Sequence, residues 1–189
     1  MKRVLLTCTD LMTIQFMVPH IRYLAENGFN VELACSVVGD RLEDVKNAVG
    51  DVAKIHTLRL ERSPFSPNNL KGYGDLKKLL SENTYDVIWT NEPVMGVMTR
   101  FAARKVRKKG TKVIYMAHGF HFFKGAPLIN WLMWAPTEII MSKFNDTLVT
   151  INWEDYNWAK KHTFTPVIKH IDGIGVDFSS REGVISREE

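Results

Sequence analysis

Apolar residues along the chain fall in short runs, separated by stretches in which they recur every three or four positions. The runs Val4–Thr9, Asn30–Ser36, Ala53–Leu58, Asp86–Thr90, Lys112–Ala117, Thr147–Ile151 and Val167–Ile171 predict strands. Several lack in–out alternation, as expected of strands covered on both faces. The amphipathic stretches predict helices over Gln15–Asn27, Arg41–Val49, Leu70–Glu82, Val94–Lys109, Leu128–Lys143 and Glu154–Lys161. Asn27-Gly28 and Lys109-Gly110 end two of them just ahead of new strands. Strand and helix alternate throughout, which specifies an α/β domain: a Rossmann-like, doubly wound parallel sheet of about seven strands with helices on both faces. The best long loop is Arg62–Asn69, carrying Pro64 and Pro67. From Asp172 onward apolar density falls, so the end of the chain reads as a tail or the start of a linker.

Composition narrows the class. The 189 residues are 45% hydrophobic and 24% charged, enough for one domain with a real core and incompatible with disorder. The most apolar stretch, Pro127 to Phe144, is broken by Asn130, Pro136, Glu138 and Lys143, so no membrane span is expected. Asp10 interrupts the first strand before a signal-peptide core is complete. Cys8 and Cys35, both in strand runs, supply neither a disulfide framework nor a zinc site. A cytoplasmic domain is the expectation.

Charge alters the picture in one place. Of a net +4, much is concentrated in Arg100, Arg104, Lys105, Arg107, Lys108, Lys109 and Lys112. Such a cluster is a solvated helix end, a nucleic-acid patch or an attraction to anionic lipid. No aromatic platform accompanies it, which argues against nucleic acid. The lipid reading adds a peripheral contact at the inner face of a membrane, helped by the apolar helix carrying Trp131 and Trp134.

In open parallel sheets ligands bind at the carboxyl ends of strands. The first strand ends in Thr7-Cys8-Thr9-Asp10 with no glycine, which argues against a dinucleotide, and no Walker A sequence occurs. The fourth ends in Thr90-Asn91-Glu92-Pro93. Pro93 suits a first helical position with Asn91 or Glu92 at the cap, an arrangement that serves an ordinary capped helix or a binding cleft. The fifth ends in Ala117-His118-Gly119-Phe120-His121-Phe122, the segment richest in candidate chemistry. Histidine exchanges protons near neutrality and glycine permits close approach, so His118 at a strand end is the leading functional residue. His56 and His162 read as structural, and His118 and His121 lack the company a metal requires. After the sixth strand Asn152 suits a helix cap, with Glu154 and Asp155 serving the helix dipole rather than acid–base chemistry.

Taken in order, Ala117-His118-Gly119-Phe120-His121-Phe122, Glu138, the run Asn145 to Tyr156 and Gly173-Ile174-Gly175-Val176-Asp177 resemble the N-terminal half of a family 4 glycosyltransferase of the GT-B fold. Relatives of this kind build bacterial capsular or exopolysaccharide. The resemblance covers essentially the whole chain. It implies a Rossmann-like acceptor-side domain over 1–177, a tail or linker over 178–189, and a C-terminal donor-binding domain that is absent from this chain. It also implies sugar transfer with retention from a nucleotide sugar to a glycan or lipid-linked acceptor, with no cofactor and no obligatory metal. His118 matches the family histidine that contacts the donor sugar, and Asp10, Asn91, Glu92, Gly119, Phe120 and His121 are the expected substrate-binding residues. One departure stands out. Many relatives have a glycine-rich loop after the first strand, where this chain has Asp10-Leu11-Met12-Thr13. A rival expectation is a non-catalytic α/β module that binds a phosphorylated sugar or lipid.

Overall fold

The computed structural model describes residues 1–9, 11–36 and 42–175. Seven parallel strands form one sheet: β1 (Arg3–Cys8), β2 (Asn30–Ser36), β3 (Ala53–Leu58), β4 (Val87–Asn91), β5 (Lys112–Ala117), β6 (Thr147–Thr150) and β7 (Val167–His170). Their order is β3-β2-β1-β4-β5-β6-β7. The direction of winding therefore reverses between β1 and β4, which opens a crevice above the carboxyl ends of those strands. The connecting helices are α1 (Leu11–Glu26), α2 (Leu42–Val49), α3 (Asn68–Glu82), α4 (Pro93–Ala102), α5 (Arg104–Arg107), α6 (Leu128–Met141) and α7 (Trp153–His162).

Alternation along the central strand separates the core into two layers. Leu6 faces Ile14, Met17 and Ile21 of α1, while Leu5 faces Leu76 and Leu80 of α3 and Met95 of α4. A third cluster, Tyr115, Phe120, Phe122 and Leu148, packs with Trp131, Trp134 and Trp158 of α6 and α7. The stretch expected to form one helix over Val94–Lys109 divides instead. Ala103, at φ −73 and ψ −7, interrupts the regular turn, and α5 follows with Arg107 directed at Asp146, 3.0 Å away. The first helix starts a turn earlier than expected, at Leu11.

At the amino ends of the strands lies a buried ionic knot. Glu32 of β2 accepts from Arg3 (2.5 Å), His56 (2.7 Å) and the Tyr85 hydroxyl (2.8 Å). Burial alone would raise the Glu32 pKa, but these three partners together hold it at about 2. His56 has the structural place expected of it.

Candidate active site

The β1/β4 crevice is built on a ladder of hydroxyls. Thr7 donates to Thr90 across the two strands at 2.7 Å and lies 3.0 Å from the Thr99 hydroxyl of α4. Above it opens a cleft of about 320 Å³ whose lining includes Thr9, Thr13, Glu92, Tyr115, His118 and His121.

His118 stands just past the carboxyl end of β5, half-buried in the cleft wall. Its Nε2 lies 3.1 Å from Asn91 Oδ1. Asn91 is fully buried, and its amide nitrogen donates to the Thr7 carbonyl at 3.3 Å, so its oxygen is the acceptor that faces the ring. That fixes the proton of His118 on Nε2 and leaves Nδ1 as a lone-pair acceptor. Burial pushes the His118 pKa below its ordinary value, so the ring is neutral at pH 7.

Glu92 occupies the junction between β4 and α4. Pro93 opens α4 with Glu92 as its N-cap residue, as the sequence suggested, but the Glu92 side chain makes no cap bond. Glu92 Oε2 instead accepts from the Thr9 backbone N–H at 2.6 Å, and Oε1 accepts from the Thr13 hydroxyl. The carboxylate thus ties the β1–α1 loop to β4. Glu92 pays for this reach with φ 65 and ψ 157, a region nearly closed to residues with a Cβ and costing about 1–3 kcal/mol.

The β5–α6 loop is shaped by Gly119, whose φ of 120 turns the chain sharply after His118. That turn carries Phe120 inward. Its ring stacks on Phe122 at 4.9 Å and meets Trp158 edge-on, and its N–H donates to buried Asp155 at 2.8 Å. Phe120 was expected to bind substrate, and the structure corrects this: its side chain belongs to the core. Asn91 needs the same correction, since it stands behind His118 and presents nothing to the cleft. His121 does reach the cleft, edge-on to Trp134 at 5.1 Å. Asp10 lies outside the described residues.

The carboxylates after β6 are structural, as the sequence suggested. Asn152 caps α7 by accepting from the Asp155 N–H at 2.7 Å. Asp155 and Glu154 accept from the N–H groups of Phe120 and Lys124, which fastens the loop that carries His118.

One wall of the cleft is Tyr115, lying against Gly96 of α4. A Cβ at position 96 would stand 2.6 Å from the Tyr115 ring. Behind the ring, the tyrosine hydroxyl donates to Glu138 at 3.1 Å, and Glu138 pairs with buried Arg100 at 2.8 Å. The Arg100 guanidinium also lies 3.9 Å over the Tyr115 ring, and its Nη2 has no hydrogen-bond partner. Burial and the Glu138 charge keep the Tyr115 hydroxyl protonated.

The matching family model, described as "Glycosyl transferase 4-like", covers residues 5–152. The chain belongs to the glycosyl transferase 4-like family. It is 41% identical over 145 residues to EpsD of Bacillus subtilis (strain 168), which is provisionally named a glycosyltransferase, spanning 77% of this chain and 36% of EpsD. MurG of Acinetobacter baumannii superposes with a TM-score of 0.60 at 12% identity, covering 95% of this chain and 47% of MurG. Anabaena HepE, solved with UDP and glucose, gives 0.60 at 12% identity over 94% of this chain and 46% of HepE. The UDP-GlcNAc 2-epimerase of Neisseria meningitidis, bound to UDP-GlcNAc, gives 0.63 at 13% identity over 88% and 45%. At these identities the solved structures establish the fold, the Rossmann-like half expected from the GT-B resemblance. The chain spans about a third of its curated relative and about half of each solved neighbour.

Several lining residues escaped the sequence reading: Thr9, Thr13, Arg62, Pro64, Tyr115 and Trp134. Thr9 and Tyr115 carried a usable signal, being at or near the carboxyl ends of predicted strands. Arg62, Pro64 and Trp134 did not, because a long loop and a helix face reach the cleft only through tertiary packing. Among the described residues no group of three His, Cys, Asp or Glu side chains is placed to hold a metal ion. No described helix is long and apolar enough to cross a membrane.

The basic segment sits at the amino ends of the strands, where α4 and α5 return to β5. Arg100 is buried with Glu138, Arg107 pairs with Asp146, and the Arg104 guanidinium covers the Phe101 ring at 3.6 Å. Lys105, Lys108 and Lys109 remain exposed there. On α6, Trp131 packs on Phe122, whereas Leu128, Ile129, Leu132 and Ile140 are exposed.

Proposed function

We propose that this chain is the acceptor-side domain of a retaining glycosyltransferase that moves a sugar from a nucleotide-sugar donor to a glycan or lipid-linked acceptor in exopolysaccharide assembly. The observation that carries the proposal is His118, neutral, in the lining of a cleft at the switch point, with Nε2–H committed to Asn91 and Nδ1 left as an acceptor. In that state the ring accepts a hydrogen bond from a sugar hydroxyl and so fixes the donor sugar's orientation. Neutrality matters for a second reason. Glycosyl transfer passes through a sugar carbon that gains positive charge. An imidazolium about 4 Å from that charge would oppose it by about 4 kcal/mol at an effective dielectric constant of about 20. Glu92, Thr9 and Thr13 hold the opposite lip of the cleft in place, and Gly119 and His121 give it an open polar floor.

EpsD, provisionally named a glycosyltransferase, and HepE, solved with UDP and glucose, support a nucleotide-sugar donor. On this reading a second domain of the same polypeptide grips that donor. Turnover in the full polypeptide, measured as sugar released from the nucleotide to the acceptor, should fall about 10²-fold in His118→Ala. Unchanged turnover removes His118 from the chemistry, and absence of any transfer by the wild type removes the enzyme reading in favour of a binding module.

The same proposal puts the domain at an anionic membrane surface, supported by the cations of α5, which gather with Lys143 around Phe144; exposed Leu128, Ile129 and Leu132 open α6 at the opposite pole of the sheet and lend this contact no support. Each cation adds about 1 kcal/mol near such a surface. Binding to anionic vesicles should weaken with salt and fall when Lys105 and Lys108 become glutamate. Equal sedimentation with neutral vesicles would defeat it.

A further inference from the structure

At the amino ends of the strands, the pole opposite the cleft, α5 and the turn that follows α6 border a concavity of about 680 Å³. Arg104, Lys105, Arg107 and Lys108 line it from α5 and its C-cap, and Lys143 and Phe144 from the turn. Asp146 is the one carboxylate in the lining, so five cations face a single anion. That anion is already engaged. Asp146 accepts from Arg107 Nε at 3.0 Å and Nη2 at 3.2 Å, while Arg107 Nη1 donates to the Lys143 carbonyl at 2.8 Å. Arg104 is fixed as firmly: its Nε donates to the Phe101 carbonyl at 2.8 Å, and its guanidinium lies 3.6 Å over the Phe101 ring. Both terminal nitrogens of Arg104 lack a hydrogen-bond partner among the described residues, and Lys105, Lys108 and Lys143 have no carboxylate partner there.

We infer that this concavity is a binding site for a small soluble ligand carrying two or three linked phosphates. The inference stands apart from the glycosyltransferase reading, because α4, ten residues and about 15 Å long, separates the site from Glu92 at the cleft. Charge sets the ligand class. Five cations against one carboxylate leave an excess of four, and a single phosphate, with about two negative charges at most, answers half of it. Linked phosphates answer the rest. Geometry supports the same class. Two guanidiniums held by protein contacts present fixed forks to phosphate oxygens, with little ordering left to do on binding. The three lysines, on flexible stems, adapt around them as point charges. Helix dipoles account for cations in the last turn of α5 but not for Lys143, which comes from another element and turns a patch into a pocket. The membrane contact proposed above draws on the same cations through their charge alone. A concavity, rather than a flat face, favours a compact ligand.

The test is isothermal titration of this chain with phosphate, pyrophosphate and tripolyphosphate at a constant ionic strength of about 0.15 M. We expect one site per chain, binding of pyrophosphate about tenfold or more tighter than that of phosphate, and no further gain beyond tripolyphosphate. Lys105→Glu combined with Lys108→Glu should weaken tripolyphosphate binding by about tenfold or more. Lys160→Glu combined with Lys161→Glu makes the same charge change on α7 and should leave affinity within about twofold. All four side chains are exposed, so neither double variant threatens the fold. Equal losses in the two double variants would show that net charge alone attracts the anion, and would overturn the site. So would an affinity that keeps climbing with polyphosphate length, the mark of a track for a linear polyanion. Attachment to anionic vesicles without saturable uptake of tripolyphosphate would assign these cations to the membrane alone and overturn the inference as well.

Discussion

At the amino ends of the strands Glu32 receives a guanidinium, an imidazole and a phenol on an ordinary extended backbone. At the carboxyl ends Glu92 receives one backbone N–H and one hydroxyl while its own backbone is forced to φ 65. The first carboxylate is held well below its usual pKa by partners that gain from its charge. The second spends conformational energy to hold a loop. In this sheet the carboxylate away from the crevice is secured by several partners, whereas the one at the crevice is held in a strained position.

The comparison breaks most visibly at Glu32. Glu32→Ala leaves Arg3, His56 and Tyr85 without their shared acceptor, and removal of one member of a buried ionic group costs about 3 kcal/mol or more. Urea unfolding followed by circular dichroism should show that loss, with sugar transfer by the remaining folded protein unchanged. The sign of the pH effect follows from the depressed pKa. Above about pH 5 the Glu32 contribution is complete, and it is lost as pH falls from about 4.5 toward 2. Stability that is flat across this window in the wild type would show that the knot carries no linkage.

Glu92→Gln should behave in the opposite way. The amide keeps the acceptor for Thr9 or Thr13 but loses the charge that strengthens both bonds, and the backbone strain stays. We expect a stability change of about 1 kcal/mol or less and a loss of turnover of about tenfold or more, because a loop displaced at the cleft lip misplaces the substrate. Equal losses of stability and turnover would place Glu92 with Glu32, as a structural carboxylate.

The smallest effect sharpens the contrast at His118. Nitrogen shifts of its imidazole should report the Nε2–H tautomer and a pKa below about 6.5. A histidine with a lowered folded pKa favours the native state fully above about pH 6.5 and progressively less as pH falls toward its folded value. Asn91→Asp should raise that pKa, through a charge facing the ring. A pKa that does not move would separate the two residues.

How much of this was legible in the sequence depends on the distance over which each feature is determined. Strand identity is local: Val4–Thr9 and Lys112–Ala117 announce themselves by apolar runs, and all seven predicted strands occur in the sheet. The candidate site was readable only where a strand end puts a side chain on the crevice, as for His118. Phe120 misled because pattern cannot tell which way a chain turns after glycine, and Gly119 turns it into the core. Glu92 was singled out as a helix neighbour, yet its partners Thr9 and Thr13 stand far earlier in the chain and meet it only through the β1–β4 pairing. The basic segment looked uniform because sequence does not show that Arg100 is buried against Glu138 and Arg107 is occupied by Asp146.

The contact of Gly96 with Tyr115 sets an order on change. Alanine at position 96 would bring a methyl group to 2.6 Å from a ring that is itself anchored to Glu138 and roofed by Arg100. Neither neighbour can step aside cheaply, so a lineage, or an engineer, that wishes to reshape this wall must first shrink the residue at 115. Taken in the other order, the path runs through an overpacked, destabilised intermediate. The two positions are thus free to drift only as a pair, with the aromatic partner moving first.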